Sequence, residues 1–437
     1  MSNDPTRNDR RWMIGAVVLV LVTGIALRHA TNILDKGTVY DERFIRAPID
    51  DLLARGWSVE TAIDFTETKG PTMIWSYAIG GQLLGHELND LRLVSVFFFV
   101  TGVVPLLLLA RRCGLAGPAL PLVACCYMLL PRNAAMGQLV MSEPSFIWCS
   151  LWLLWVFVWG FGDSRETQRA VVGPVLVGVL LAVGLHLRIH AVAFAAAIVL
   201  VAFERDRWRS WPWWTACAVA GLSRVPLMIR WGGLVSPEYQ GPHGLGLAPA
   251  SVTYLAAALV PMTAVLLWPA LVQRRFAPRR WMIGLGAGLG LVLALAARPS
   301  LAETMTILDF DVKRYLGMTA LVVARITGSG ALQAILLGAL AVAGAAALGA
   351  MGSIGWAGSP QDRVGVVHRL QFWTLVTGCG LYVLTDSVVY DRYLLAWAVL
   401  MPIVWVASLT RRALGAQGLL LLVIASWSVW RFLIRVG

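Results

Sequence analysis

Residues 10–42 read RRWMIGAVVLVLVTGIALRHATNILDKGTVYDE. An arginine pair precedes an apolar run at 13–27, and a polar segment follows that closes on adjacent carboxylates, Asp41 and Glu42. Arg10-Arg11 and the apolar run match the first two regions of a signal peptide, but no small-residue cleavage site follows them. The run is expected to be an uncleaved signal-anchor with its amino terminus in the cytoplasm, because Lys and Arg mark cytoplasmic flanks.

The same grammar repeats along the rest of the chain. Of 437 residues, 58% are hydrophobic and 14% charged, where soluble domains carry about 45–50% and about 25%. The excess lies in runs of roughly 16–22 residues, the length needed to cross ~30 Å of hydrocarbon. Beyond 13–27 they fall near 91–110, 117–130, 144–161, 171–187, 191–203, 213–229, 250–272, 281–297, 331–350, 371–386, 394–408 and 417–434. The expectation is an all-α polytopic membrane protein of about thirteen transmembrane helices, one integral-membrane domain over 1–437. A soluble enzyme, a disordered chain and a nucleic-acid-binding domain are excluded, and no room remains for a large extramembrane domain.

The net charge of +12 therefore reads as topology. Arginine pairs at 111–112, 274–275, 279–280 and 411–412 each border an apolar run. The three lysines, Lys36, Lys69 and Lys313, fall on the opposite side of that topology. The six cysteines lie in or beside apolar runs, with no CxxC and no Cys/His cluster. Neither disulfides nor zinc are expected.

Segment 31–90 is a long first outer loop holding ten of the chain's 24 carboxylates. Phe44, Ile45, Ile49, Leu52 and Leu53 recur at the spacing of an amphipathic interfacial helix. The apolar run 72–84 is too short to span and reads as a second interfacial helix. Segment 298–330 lies outside and holds a short apolar stretch without an assigned element. The small-residue runs 284–290 and 338–352 read as sites of close helix packing, since no strand precedes them as a phosphate loop requires. No internal repeat is visible, and polarity is concentrated at one membrane face.

The residues that could carry chemistry converge on that face. Tyr40-Asp41-Glu42-Arg43 is either a solvated loop with an Asp41–Arg43 or Glu42–Arg46 pair, or a general base at the membrane edge. Partial burial beside a second carboxylate would raise such a base's pKa to a useful value. Thr68-Lys69-Gly70-Pro71 offers a point charge for a phosphate oxygen, or an interface anchor, with Pro71 starting the next helix. Ser142-Glu143-Pro144 places a carboxylate at the mouth of a span, where acids also favour a helix start. Leu187-Arg188-Ile189-His190 places a cation and an imidazole at a span end, where Arg188 could equally snorkel. Asp309-Phe310-Asp311-Val312-Lys313-Arg314-Tyr315 and Tyr390-Asp391-Arg392-Tyr393 are charged patches whose arginines could grip phosphate or pair with aspartate. His243, with Glu238 in the Gly/Pro-rich loop 231–246, is too sparse for a metal site, and no cofactor is expected.

One carboxylate, several cations and aromatic neighbours at one face suit a phosphorylated lipid with its tail in the bilayer. Departure of a lipid phosphate from an anomeric carbon develops negative charge that cations stabilise. A carboxylate can take the acceptor's proton, and a single displacement inverts the carbon.

These motifs resemble the GT-C superfamily of membrane glycosyltransferases, which use polyprenyl-phosphate sugars. Asp41-Glu42 just after the first span, Lys69-Gly70-Pro71 with a glycine inserted in a Lys-Pro-type motif, Glu143, and Arg392-Tyr393 before a late span carry the resemblance. More narrowly, the chain is similar to the dolichyl-phosphate-glucose-dependent α-1,2-glucosyltransferase family of lipid-linked oligosaccharide assembly, as a divergent relative suited to a bacterium. Arg188-Ile189-His190-Ala191, Gly232-Gly233 with His243, Ser251-Val252-Thr253-Tyr254, Asp311 to Tyr315 and Tyr390 to Tyr393 follow that family's motif order.

The resemblance implies inverting transfer of a sugar, glucose favoured and mannose or arabinose as alternatives, to a glycan or glycolipid acceptor. The site would face the periplasm of a bacterial inner membrane, without a cofactor. Asp41 would be the base and Glu42 would tune or orient it. Lys69 with one or more of Arg188, Arg314 and Arg392 would bind the phosphate, and Glu143 would meet sugar or acceptor. His190, His243, Asp311, Asp391 and Tyr393 complete the expected substrate contacts. The rival expectations are a lipid-linked-sugar flippase or transporter, with polar residues near the midplane, and a lipid-diphosphate-dependent polymerase or ligase.

Overall fold

A computed structural model describes residues 5–39, 41–65, 67, 69–162, 167–240, 243–307, 310–328, 330–357 and 362–435. Tyr40, Thr68 and Asp309 of the sequence motifs lie outside these residues. Seven helices among the described residues are long and apolar enough to cross a membrane: Asn8–Ala30, Leu88–Arg112, Ser142–Phe161, Pro249–Val272, Phe276–Ala296, Gly330–Gly355 and Arg411–Ile434. Ala119–Leu129, Val171–Leu187 and Met318–Thr327 are shorter apolar helices. The chain is an integral membrane protein.

Several of the runs expected as spans are divided, and proline sits at the breaks. The run at 213–229 forms Trp211–Leu222 and Val225–Trp231, with Pro226 in the first turn of the second helix. The run at 394–408 forms Tyr393–Trp397 and Met401–Ser408, with Pro402 likewise placed. Proline lacks the N–H that would continue the ladder and is favoured where a helix begins. The helix expected from 371 starts eight residues sooner, at Arg363, because the Asp362 carboxylate caps it, accepting from Val364 N–H (3.2 Å) and Gly365 N–H (3.3 Å).

Two compact units make up the chain, one of residues 1–191, 211–236 and 418–437, the other of 192–210 and 237–417. In the first, Leu88–Arg112 packs against Pro5–Ala30, Ala119–Leu129 and Ser142–Gly162. The expected amphipathic helix is Glu42–Arg55, and the buried faces of Ile45, Ile49 and Leu52 follow the helical period. The helix expected over 72–84 is Pro71–Leu84, opened by Pro71 as expected.

In the second unit, Gly330–Gly355 packs against Trp281–Ala296, Pro249–Thr263 and Arg363–Leu381. Its small residues allow backbone approach. A Cβ on Gly344 would overlap the Ala256 carbonyl oxygen, and one on Gly290 would lie 2.8 Å from Val342 Cα. Between lipid-facing helices such close packing replaces the hydrophobic drive available in water. The small-residue runs are thus packing surfaces, as their setting implied.

Among the described residues are six short strands that the all-α expectation omits. Thr304–Ile307 pairs antiparallel with Phe310–Lys313, His243–Leu245 pairs antiparallel with Thr385–Ser387, and Tyr315–Leu316 runs parallel to Val389–Tyr390. The unassigned apolar stretch within 298–330 is the helix Met318–Thr327.

Candidate functional site

In the first unit the acidic motif behaves as two distinct residues. Asp41 occupies the N-cap position of Glu42–Arg55, half-buried, and its side chain does not cap the helix. Glu42, one residue on, is fully buried. Its Oε1 accepts from Arg92 Nε (3.0 Å) and Val140 N–H (2.8 Å), and its Oε2 from Arg92 Nη2 (2.7 Å) and Val39 N–H (2.9 Å). The Glu42–Arg46 pair that the sequence allows is not formed, since Arg46 takes Asp50 at 2.9 Å. Arg92 is fully buried too. Its remaining N–H groups donate to the carbonyls of Ile33 (2.6 Å), Lys36 (3.0 Å) and Gly37 (2.8 Å).

The segment leading to Glu143 is fastened from the same side. Ser95 Oγ donates to Leu139 O (2.5 Å) and Tyr77 Oη donates to Met141 O (2.7 Å), the two hydroxyl oxygens lying 2.7 Å apart. Glu143 lies in the first turn of Ser142–Gly162, 2% exposed, and accepts from Arg188 Nη1 at 3.0 Å. Arg188 also donates to Ser142 Oγ (2.9 Å). It is buried against this acid rather than snorkelling. His190 sits half-buried in the 3-10 turn Ile189–Ala191.

Lys69 reaches Glu67 Oε1 at 2.7 Å, with the acid 1% and the base 14% exposed. Gly70 N–H donates to Leu187 O (3.0 Å), so Lys69 and Arg188 flank a single backbone bond. Arg224 closes this corner, donating to Leu185 O (3.0 Å) and Leu234 O (3.3 Å) with its guanidinium 5.2 Å from the Trp231 ring. Asp64 accepts Arg230 through both oxygens, which holds its pKa below the usual carboxylate range.

The second unit gathers its own candidates around the short strands. Asp391 Oδ2 accepts from Met318 N–H (2.5 Å) and Thr319 N–H (3.3 Å), anchoring the start of Met318–Thr327. Gly317, with φ 133°, leaves the space that this carboxylate fills. The Arg392 guanidinium lies 4.3 Å from the Tyr390 ring and 5.9 Å from that of Tyr393. Arg314 donates to Glu303 Oε1 (2.6 Å), and Asp311 accepts from Thr306 Oγ1 (2.9 Å). His243 opens the strand that pairs with Thr385–Ser387, opposite Ser387. Among the described residues, no group of three or more His, Cys, Asp or Glu could hold a metal ion.

Sequence reasoning missed Arg92, Glu67 as the partner of Lys69, and Arg224. Arg92 left one signal, a lone cation inside an expected span, where an intramembrane charge asks for a partner.

No protein-family profile and no curated protein matches the chain. Solved structures align with most of its length. ArnT from Cupriavidus metallidurans bound to undecaprenyl phosphate aligns with 96% of this chain and 78% of its own, at 14% identity and a TM-score of 0.48. The archaeal oligosaccharyltransferase AglB from Archaeoglobus fulgidus, in complex with an inhibitory peptide and a dolichol-phosphate, aligns with 97% of this chain and 55% of its own, at 13% identity and a TM-score of 0.46.

Proposed function

We propose that the chain is a GT-C-type membrane glycosyltransferase. It transfers a sugar with inversion from a polyprenyl-phosphate-sugar to a glycan or glycolipid acceptor, at the periplasmic face of a bacterial inner membrane. Glucose is the favoured sugar, with mannose and arabinose as alternatives. The observation that carries the reading is one continuous set of contacts in the first unit. Asp41 adjoins Glu42, whose partner Val140 lies three residues before Glu143; Glu143 holds Arg188, and the Leu187–Gly70 bond sets Lys69 beside it.

In this reading the acceptor hydroxyl gives its proton to an Asp41 carboxylate oxygen. Its oxygen forms a bond to the anomeric carbon as the carbon–oxygen bond to phosphate breaks, and the electron pair leaves on the lipid phosphate. Lys69 and Arg188 take up that charge, each loosening its hold on a buried glutamate. Glu143 and His190 contact sugar or acceptor. In the second unit, Arg314 and Arg392 are proposed phosphate contacts, and His243, Asp311, Asp391 and Tyr393 are further proposed substrate contacts.

The test uses purified protein in lipid nanodiscs with a glycolipid acceptor extract. Radiolabelled polyprenyl-phosphate-glucose, -mannose and -arabinose are offered separately to wild type and to Asp41→Asn. Label transfer from one donor, lost in Asp41→Asn while membrane insertion is kept, is the expected result. Normal turnover by Asp41→Asn would sink the assignment of the base. Lipid-sugar movement across proteoliposomes without transfer would make the chain a carrier.

A further inference from the structure

We propose that Glu42 and Arg92 are positioning residues that hold Asp41 and Glu143 in register, and that neither touches substrate or exchanges a proton with Asp41. The proposal rests on Asp41 being the base of the transfer. The observation is one of complete occupancy. A carboxylate offers about four lone-pair sites, and the Glu42 oxygens receive four N–H groups, two from Arg92 and one each from Val39 and Val140. A guanidinium has five N–H groups. Those of Arg92 meet two Glu42 oxygens and the carbonyls of Ile33, Lys36 and Gly37. No donor remains for a phosphate, and no acceptor site remains for a shared proton.

The chain positions that this pair joins explain its use. Ile33, Lys36, Gly37 and Val39 lie between the end of the first helix and Asp41. Glu42 follows Asp41 directly, so the backbone is held on both sides of the base. Val140, 98 residues away in sequence, belongs to the segment that leads into Glu143. The two carboxylates assigned to base and substrate contact are thereby tied through one buried ion pair. Arginine is the side chain whose planar fork can do this, and lysine would keep the charge but not the bidentate geometry.

The test combines amide hydrogen exchange with steady-state kinetics in nanodiscs, using Glu42→Gln, Arg92→Gln, Arg92→Lys and Asp41→Asn. Exchange at Val39 and Val140, which both donate to Glu42, is expected to quicken ~10–100-fold in Glu42→Gln and Arg92→Gln, as charge-assisted bonds are lost. Arg92→Lys, the variant least disruptive to folding, should fall between these and wild type. Asp41→Asn should leave exchange unchanged. A misplacement of ~1 Å costs about 100-fold, so kcat should fall by that order in Glu42→Gln and Arg92→Gln. KM should hold within about threefold, with the shape of the pH–kcat profile kept. Unchanged exchange in Arg92→Gln would overturn the proposal. So would a displaced pH profile in Glu42→Gln, which would make it a titrating partner, or a raised KM at constant kcat, which would make it a substrate contact. If wild type transfers from no donor, or Asp41→Asn turns over normally, the transfer reading fails. The exchange rates then still decide whether the pair holds this segment.

Discussion

Gly70→Ala tests whether the backbone bond between Gly70 and Leu187 sets the spacing of Lys69 and Arg188. Gly70 has φ −79° and ψ 165°, a conformation alanine adopts freely, so any effect is steric. The added Cβ would overlap the His186 carbonyl oxygen, lie 2.6 Å from its carbon and 2.8 Å from Arg224 Nη1. Ordinary contact begins at 3.4 Å, so the turn must withdraw by about 1.5 Å to clear the His186 carbonyl oxygen, at an overpacking cost of ~1–3 kcal/mol. That movement stretches the 3.0 Å Gly70–Leu187 bond past hydrogen-bonding range, adding ~1 kcal/mol. A total of about 2–4 kcal/mol, with an unfolding entropy of ~2.1 cal/mol/K per residue, lowers the unfolding midpoint by about 2–4 °C. Turnover should fall further in proportion, by ~100-fold, because the two cations part by about 1 Å. Both are read on purified protein in nanodiscs, by thermal unfolding and by label transfer. Gly221→Ala is the control, since a Cβ there meets nothing within 4 Å. Wild-type turnover and stability in Gly70→Ala would refute the reasoning.

Other perturbations probe separate contacts. Asp64 has a folded-state pKa lowered by Arg230, so its stabilisation is present above the unfolded carboxylate pKa and lost as pH falls through the folded value. Asp64→Asn should therefore lower the unfolding midpoint at neutral pH and converge with wild type in strong acid, as a pH series of melts would read. Asp391→Ala removes the acceptor for Met318 and Thr319 N–H; about 1 kcal/mol of stability should go with it, measured by the same melts. Tyr77→Phe leaves Met141 O without its 2.7 Å donor. A loss of ~1–2 kcal/mol is expected, and unchanged stability would show that the 139–141 segment is held by other means.

The membrane class was legible from local composition, because crossing hydrocarbon demands long apolar runs whatever the partners are. The amphipathic period of Ile45, Ile49 and Leu52, and the opening of a helix at Pro71, were readable for the same reason: each depends on residues within a turn or two. Broken spans were less so, since whether Pro226 or Pro402 starts a helix or kinks one depends on what packs around it. The candidate motifs could be picked out as charges at expected span ends, but their partners could not. Glu42 suggested Arg46 by helical spacing, and meets Arg92 instead, fifty residues on. Glu143 meets Arg188 across 45 residues, and Lys69 is set beside Arg188 by a bond between backbones.

Composition and local spacing dictate the solvent in which this chain folds and the short helices that it forms. Which buried charges meet depends on how distant segments pack. In low dielectric a charge left without a partner is costly, but that cost names no partner until helices far apart in sequence have packed.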